Sequence, residues 1–159
     1  MNAANNKTAS DQLRAKLRAD IETLQKLESN LTESEGICRS LNFNALSAQD
    51  YREIEALTAR FERAQDFFIT KVLRSIDLLE GEEGVTMDVL NRSEKRGIIS
   101  SVEEFLEMRR LRNKIAHEYA GYGPADIAND VLDFIPSLLS SYKRAREYAA
   151  RPEFALKNG

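Results

Sequence analysis

Residues 51–80, YREIEALTARFERAQDFFITKVLRSIDLLE, decide the fold. Their apolar side chains recur at Tyr51, Ile54, Leu57, Phe61, Ala64, Phe68, Val72, Ile76 and Leu79, with neither proline nor glycine before Gly81. Steps of three and four place these residues on one stripe of a helix with 3.6 residues per turn. Ser47 offers a capping hydroxyl just ahead, and Asp50 suits the positive end of the helix dipole. The spacing predicts a helix of about 30 residues, near 45 Å at 1.5 Å per residue. A rod of that length suits the spine of a bundle.

The same period extends outward. Leu13, Leu17, Ile21, Leu24, Leu27 and Leu31 predict a first long helix, capped at Thr8 or Ser10 and ending before Gly36, with residues 1–7 as a disordered tail. After the turn Gly81–Gly84, Thr86 opens a short helix that Gly97 stops. Ser100 or Ser101, with Glu103 and Glu104 at capping-box spacing, opens the next, whose apolar stripe is Phe105, Met108, Leu111 and Ile115. Gly121, Gly123 and Pro124 end it near His117 to Ala120. A last helix runs from Pro124 through Ile127, Val131, Phe134, Ile135, Leu138, Leu139 and Tyr142, and Pro136 is expected to kink it. No segment alternates with period two. The expected fold is an all-α, up-and-down bundle of four to five helices, two of them long, covering residues 8–150, with a loose tail at 151–159.

Composition narrows the function. A chain of 159 residues is most simply one domain. The single Cys38 cannot form an intramolecular disulfide, no signal-peptide pattern opens the chain, and no apolar run reaches the ~20 residues that span a bilayer. A soluble cytoplasmic protein is expected, with no membrane partner. One histidine and one cysteine argue against zinc within a protomer, so no metal and no cofactor are expected. The net charge of −3 argues against nonspecific coating of nucleic acid, and no DNA partner is expected.

Local charge tells a different story. Arg109, Arg110, Arg112 and Lys114 cluster within six residues and lead into the only histidine, His117. The bland interpretation is a solvated face balanced by nearby glutamates, with Arg112 paired to Glu107 or Glu118, the imidazole resting against a helix C-terminus and Tyr119 packing. Asp66 is expected on the solvent side of the long helix. The chemical interpretation is metal-free RNA cleavage by attack of a ribose 2′-OH on the adjacent phosphate. His117 could move the proton near neutral pH, Arg112 could hold two phosphate oxygens and the transition-state charge, and Asn113 could hold a phosphate oxygen or orient the imidazole. Arg109, Arg110 and Lys114 would hold flanking RNA. Residues five apart lie about 140° apart around a helix. Arg112 and His117 therefore converge only if the helix unwinds near His117, or if a two-fold dimer brings two copies together.

Read as R-x4-H-x-Y, residues Arg112, His117 and Tyr119 resemble the signature of the HEPN superfamily, particularly the HepT-like toxins encoded beside a minimal nucleotidyltransferase. Asn113 fits the polar residue common after the arginine, and Val89 to Leu106 resembles the nucleotidyltransferase substrate-binding branch. The resemblance implies a HEPN-like bundle over roughly residues 8–148 that dimerises with its motifs across a shared cleft. It implies an endoribonuclease acting on tRNA or mRNA, with Arg112 and His117 catalytic and Asn113 assisting. It also implies a partner, the cognate minimal nucleotidyltransferase antitoxin, which transfers AMP to Tyr119. The alternative it implies is a non-enzymatic substrate-binding or scaffold partner of that nucleotidyltransferase.

Overall fold

The computed structural model describes residues 3–117 and 123–155. Helix α1 spans Ala3–Arg39, α2 Ala48–Phe67, α3 Arg74–Leu79, α4 Thr86–Lys95, α5 Val102–His117 and α6 Pro124–Ala149. A π-helical stretch, Phe68–Leu73, joins α2 to α3, so residues 48–79 form the single long rod that the apolar spacing predicts. Its start is as read from the sequence: Ser47 Oγ accepts from the Asp50 N–H at 3.2 Å, and the Asp50 carboxylate accepts from the Ser47 N–H at 2.8 Å. Among the described residues there is no strand, and no helix is long and apolar enough to cross a membrane.

Side-chain contacts between helices set their directions. Lys16 donates to Ser75 and Arg60 to the Asn30 carbonyl, so α1 runs antiparallel to the rod. Arg39 reaches Leu132 and Arg14 reaches the Glu153 carbonyl, so α6 is also antiparallel to α1. Arg144 of α6 donates to the Ile98 carbonyl just before α5, while Leu111 and Phe134 border one groove, so α5 and α6 are antiparallel too. The result is an up-and-down all-α bundle. Its core is threaded by Leu17, Leu24, Leu31 and Cys38 of α1, each seven residues apart and buried. At its centre the Phe68 ring meets Tyr142 of α6 at 4.7 Å and Phe105 of α5 at 6.0 Å, both in the tilted arrangement aromatic pairs favour.

Four boundaries differ from expectation. Helix α1 begins at Ala3, inside the stretch read as a tail, and runs through Gly36 to Arg39. An interior glycine costs a helix about 1 kcal/mol relative to alanine. Continuing past it buries Cys38 and keeps the seven-residue seam intact, so packing overrides the break. Helix α4 is capped not by Thr86 but one residue earlier, where the Asp88 carboxylate accepts from the Val85 N–H at 2.9 Å. Residues 151–155, read as the start of a loose tail, are docked: a 3-10 turn at Pro152–Phe154 buries Phe154 against the Tyr148 ring, and Arg151 stacks on that ring at 3.9 Å.

An ionic junction holds α4 to the end of the rod. Asp77, 2% exposed, accepts from Arg92 at 2.7 Å and also from Arg96, which in turn pairs with Glu80 at 2.7 Å. Tyr148 of α6 donates its hydroxyl to Glu80. Gly97 follows α4 with φ +74°, a left-handed turn that glycine adopts without strain. The chain then re-enters the bundle at Ile98 and Ile99, both buried. This junction sets where α5 starts and therefore where its side chains point.

Candidate functional site

Helix α5 is positioned from its first turn. Ser101 Oγ accepts from the Glu104 N–H at 3.2 Å, and Phe105, Met108 and Leu111 are buried, with Ile115 packed beside them. Once that stripe faces inward, the cationic run divides. Arg109 and Arg112, three residues apart and so on one side of the helix, face α2. Arg110 and Lys114, four apart, border a groove of about 350 Å³ shared with Asp130, Asp133 and Phe134 of α6. The four cations grouped by the sequence therefore serve two surfaces, and only Arg109 lies with Arg112.

The wall facing Arg112 is built from residues 62, 65 and 66 of α2, with 62 three and four residues from the other two and so on one helix face, and from residue 69 of the π-helical stretch. Arg112 Nη1 lies 3.7 Å from Asp66 Oδ1, with the two side chains 41% and 49% exposed. Asp66 is on the solvent side, as expected, yet it is also the ion partner of Arg112, in place of Glu107. A half-exposed pair at that separation contributes little to stability, so the guanidinium can exchange Asp66 for a stronger anion at small cost. Beside it a cavity of about 30 Å³ is lined by Gln65, Asp66, Ile69, Thr70, Thr86, Arg109 and Arg112.

Two residues of this wall were not singled out in the sequence. Gln65 is 1% exposed, and neither its Oε1 nor its Nε2 has a hydrogen-bond partner. Glu62 has a buried Oε1, also without a partner, and lies within the field of Arg112. Burial pushes the Glu62 carboxyl above its usual range, and the positive charge of Arg112 pulls it partly back. The signal for both was their spacing: with Asp66 they form a polar stripe flanking the apolar one. Immediately beyond them the backbone widens into the π-helical stretch at Phe68.

Asn113 is exposed next to Arg112. Among the described residues helix α5 is unbroken from Val102 to His117, so positions 112 and 117 lie about 140° apart around its axis. Tyr119 and Glu118 lie outside the described residues, as does the His117 side chain. What the described part offers is a pair of guanidinium groups on one face of α5, loosely countered by carboxylates, at a solvent-open edge. That is an arrangement suited to a phosphate. No protein-family model matches the chain, and no curated protein matches it significantly.

Proposed function

We propose that this chain is a HEPN-type, HepT-like toxin: an endoribonuclease that cleaves tRNA or mRNA without a metal and is silenced by a cognate nucleotidyltransferase. The observation that carries the proposal is Arg112, half-exposed beside Arg109 and held only loosely by Asp66. A planar fork presented in this way can accept two phosphodiester oxygens and the charge that builds on them as the 2′-OH attacks. His117 is the group of the motif that can take or give a proton near neutral pH. One imidazole does not readily serve as base and acid in the same step. The separation of positions 112 and 117 on α5 favours a two-fold dimer in which Arg112 of one protomer works with His117 of its partner. Asn113 lies beside Arg112 to hold a phosphate oxygen or orient the imidazole, and Arg109 holds flanking RNA.

Control falls to Tyr119. AMP transferred there by the partner nucleotidyltransferase adds a negative phosphate and a bulky nucleoside two residues from His117, which repels RNA and fills the cleft. The test is cleavage of RNA by purified protein in EDTA. Wild type yields 2′,3′-cyclic phosphate ends, whereas Arg112→Ala and His117→Ala retain the helical signal and lose cleavage. Wild-type cleavage by His117→Ala refutes the assignment. Incubation with the nucleotidyltransferase, ATP and Mg²⁺ adds AMP to Tyr119 by mass spectrometry. AMP addition by a protein that never cuts RNA would instead indicate a non-enzymatic partner of the nucleotidyltransferase.

A further inference from the structure

The α2 wall of the Arg112 site holds three irregular features that the packing of the bundle does not require. A buried amide with no partner is costly, and position 65 would accept an apolar side chain with no change to the helical pattern; yet Gln65 is there, 1% exposed and unpaired at both polar atoms. Three residues earlier, Glu62 buries a carboxylate oxygen, also unpaired, within the field of Arg112. Three residues later the backbone leaves α-helical geometry for a π-helical stretch, a feature frequent at functional sites. Gln65 lines the same cavity as Arg112, and Glu62 shares its helix face.

We propose that Glu62 and Gln65 are positioning residues for Arg112, forming with Asp66 a cradle on α2 that directs the guanidinium toward the scissile phosphate. The assignment rests on the phosphodiester reading of Arg112 given above. Its three members have different tasks. Asp66, half-exposed and 3.7 Å away, is the partner that an incoming phosphate displaces. Glu62, with one oxygen shielded from water, supplies charge that stays behind the guanidinium when Asp66 is released. Gln65, whose amide is buried and unpaired, lines the cavity of about 30 Å³ beside Arg112. That space has room for one or two waters and none for a nucleotide, so Gln65 acts through Arg112 and not on RNA. Loss of this cradle leaves substrate attraction in place and misdirects the group that meets the transition state, which is a defect of kcat more than of KM.

The experiment compares wild type with Glu62→Gln, Gln65→Met and Asp66→Asn by two readouts. The first is kcat and KM for RNA cleavage in EDTA; the second is the NMR signal of the Arg112 Nε–Hε group in the free protein, which needs no RNA. Glu62→Gln and Gln65→Met should each lower kcat about tenfold or more with KM within about twofold. Gln65→Met should also raise Tm by about 2–4 °C, because an unpaired amide has been removed. Asp66→Asn should lower KM. In both of the first two variants the Arg112 signal should shift or broaden. Unchanged kcat in both, or an Arg112 signal like wild type in both, overturns the cradle, and a fall in Tm for Gln65→Met removes Gln65 from it. If wild type cleaves no RNA, the NMR readout decides alone: a perturbed Arg112 signal keeps the cradle while the ribonuclease reading falls.

Discussion

Arg39, at the end of α1, donates from Nη2 to the carbonyl oxygen of Leu132 in α6 at 2.9 Å. Leu132 lies four residues before Pro136, the position whose carbonyl an α-helix would satisfy through the N–H that proline lacks. The guanidinium therefore replaces the missing helical hydrogen bond, and α6 runs uninterrupted from Pro124 to Ala149 with the proline inside it. Arg39→Ala should cost about 1–3 kcal/mol by leaving that carbonyl unpaired. In a Pro136→Ala background the same change should cost less, because the restored N–H can close the ladder. Urea unfolding of the four proteins of this cycle measures the coupling, and strict additivity would refute it.

Among the described residues, Asp77 is the carboxylate that accepts most from arginine, with Arg92 and Arg96 both donating to it. Asp77→Ala removes the buried anion shared by Arg92 and Arg96, leaving Arg96 with Glu80 and Arg92 with only the more distant carboxylate of Glu82, and should destabilise the protein by about 3 kcal/mol, read from the urea midpoint. The change also frees α4, so amide hydrogen exchange at residues 89–99 should quicken more than exchange in α1.

The split of the cationic run can be tested with RNA. Arg109→Ala should weaken binding of a 2′-deoxy, uncleavable oligonucleotide and reduce by about one the slope of log K against log salt. Arg110→Ala should change that slope less, since Arg110 faces a groove already furnished with Asp130 and Asp133. Equal effects of the two substitutions would show that the helix faces do not divide the work.

Glu62 links the site to pH. Its folded-state carboxyl lies above the ordinary value of 4.5, so the folded chain holds this proton more tightly than the unfolded chain does. Stability then falls as pH rises from the unfolded pKa through the folded one, because the native state must ionise a partly buried group. Glu62→Gln removes this loss. The variant should match wild type below that window and exceed it at pH 7 in thermal or urea unfolding, and a variant less stable than wild type at pH 7 contradicts the sign.

Much of the fold was legible because each long helix carries its own amphipathic stripe. The residues from Tyr51 to Leu79 announce a rod, Ser47 and Asp50 announce its start, and Ser101 announces α5, all through interactions that span four residues or fewer. The apolar sequence even held a trace of the π-helical stretch, since Ala64, Phe68, Val72 and Ile76 are spaced by four three times in succession, wider than 3.6 residues per turn allows. Gly36 misled because a local propensity of about 1 kcal/mol is smaller than the burial gained by carrying α1 on to Cys38. Phe154 looked like part of a tail because its partner, Tyr148, becomes a docking surface only after α6 has packed.

For the site, sequence alone determined the inventory: one histidine, a run of arginines before it, and their spacing along one helix. Which cations act together was decided by tertiary structure, because burying Phe105, Met108 and Leu111 fixes the rotation of α5 and sends Arg112 toward α2 and Arg110 toward α6. The same rotation brings Glu62, Gln65 and Asp66, some fifty residues away in the chain, to the wall that Arg112 faces. No local pattern encodes that meeting, since it follows from the packing of two helices whose stripes are each legible while their relative phase is not.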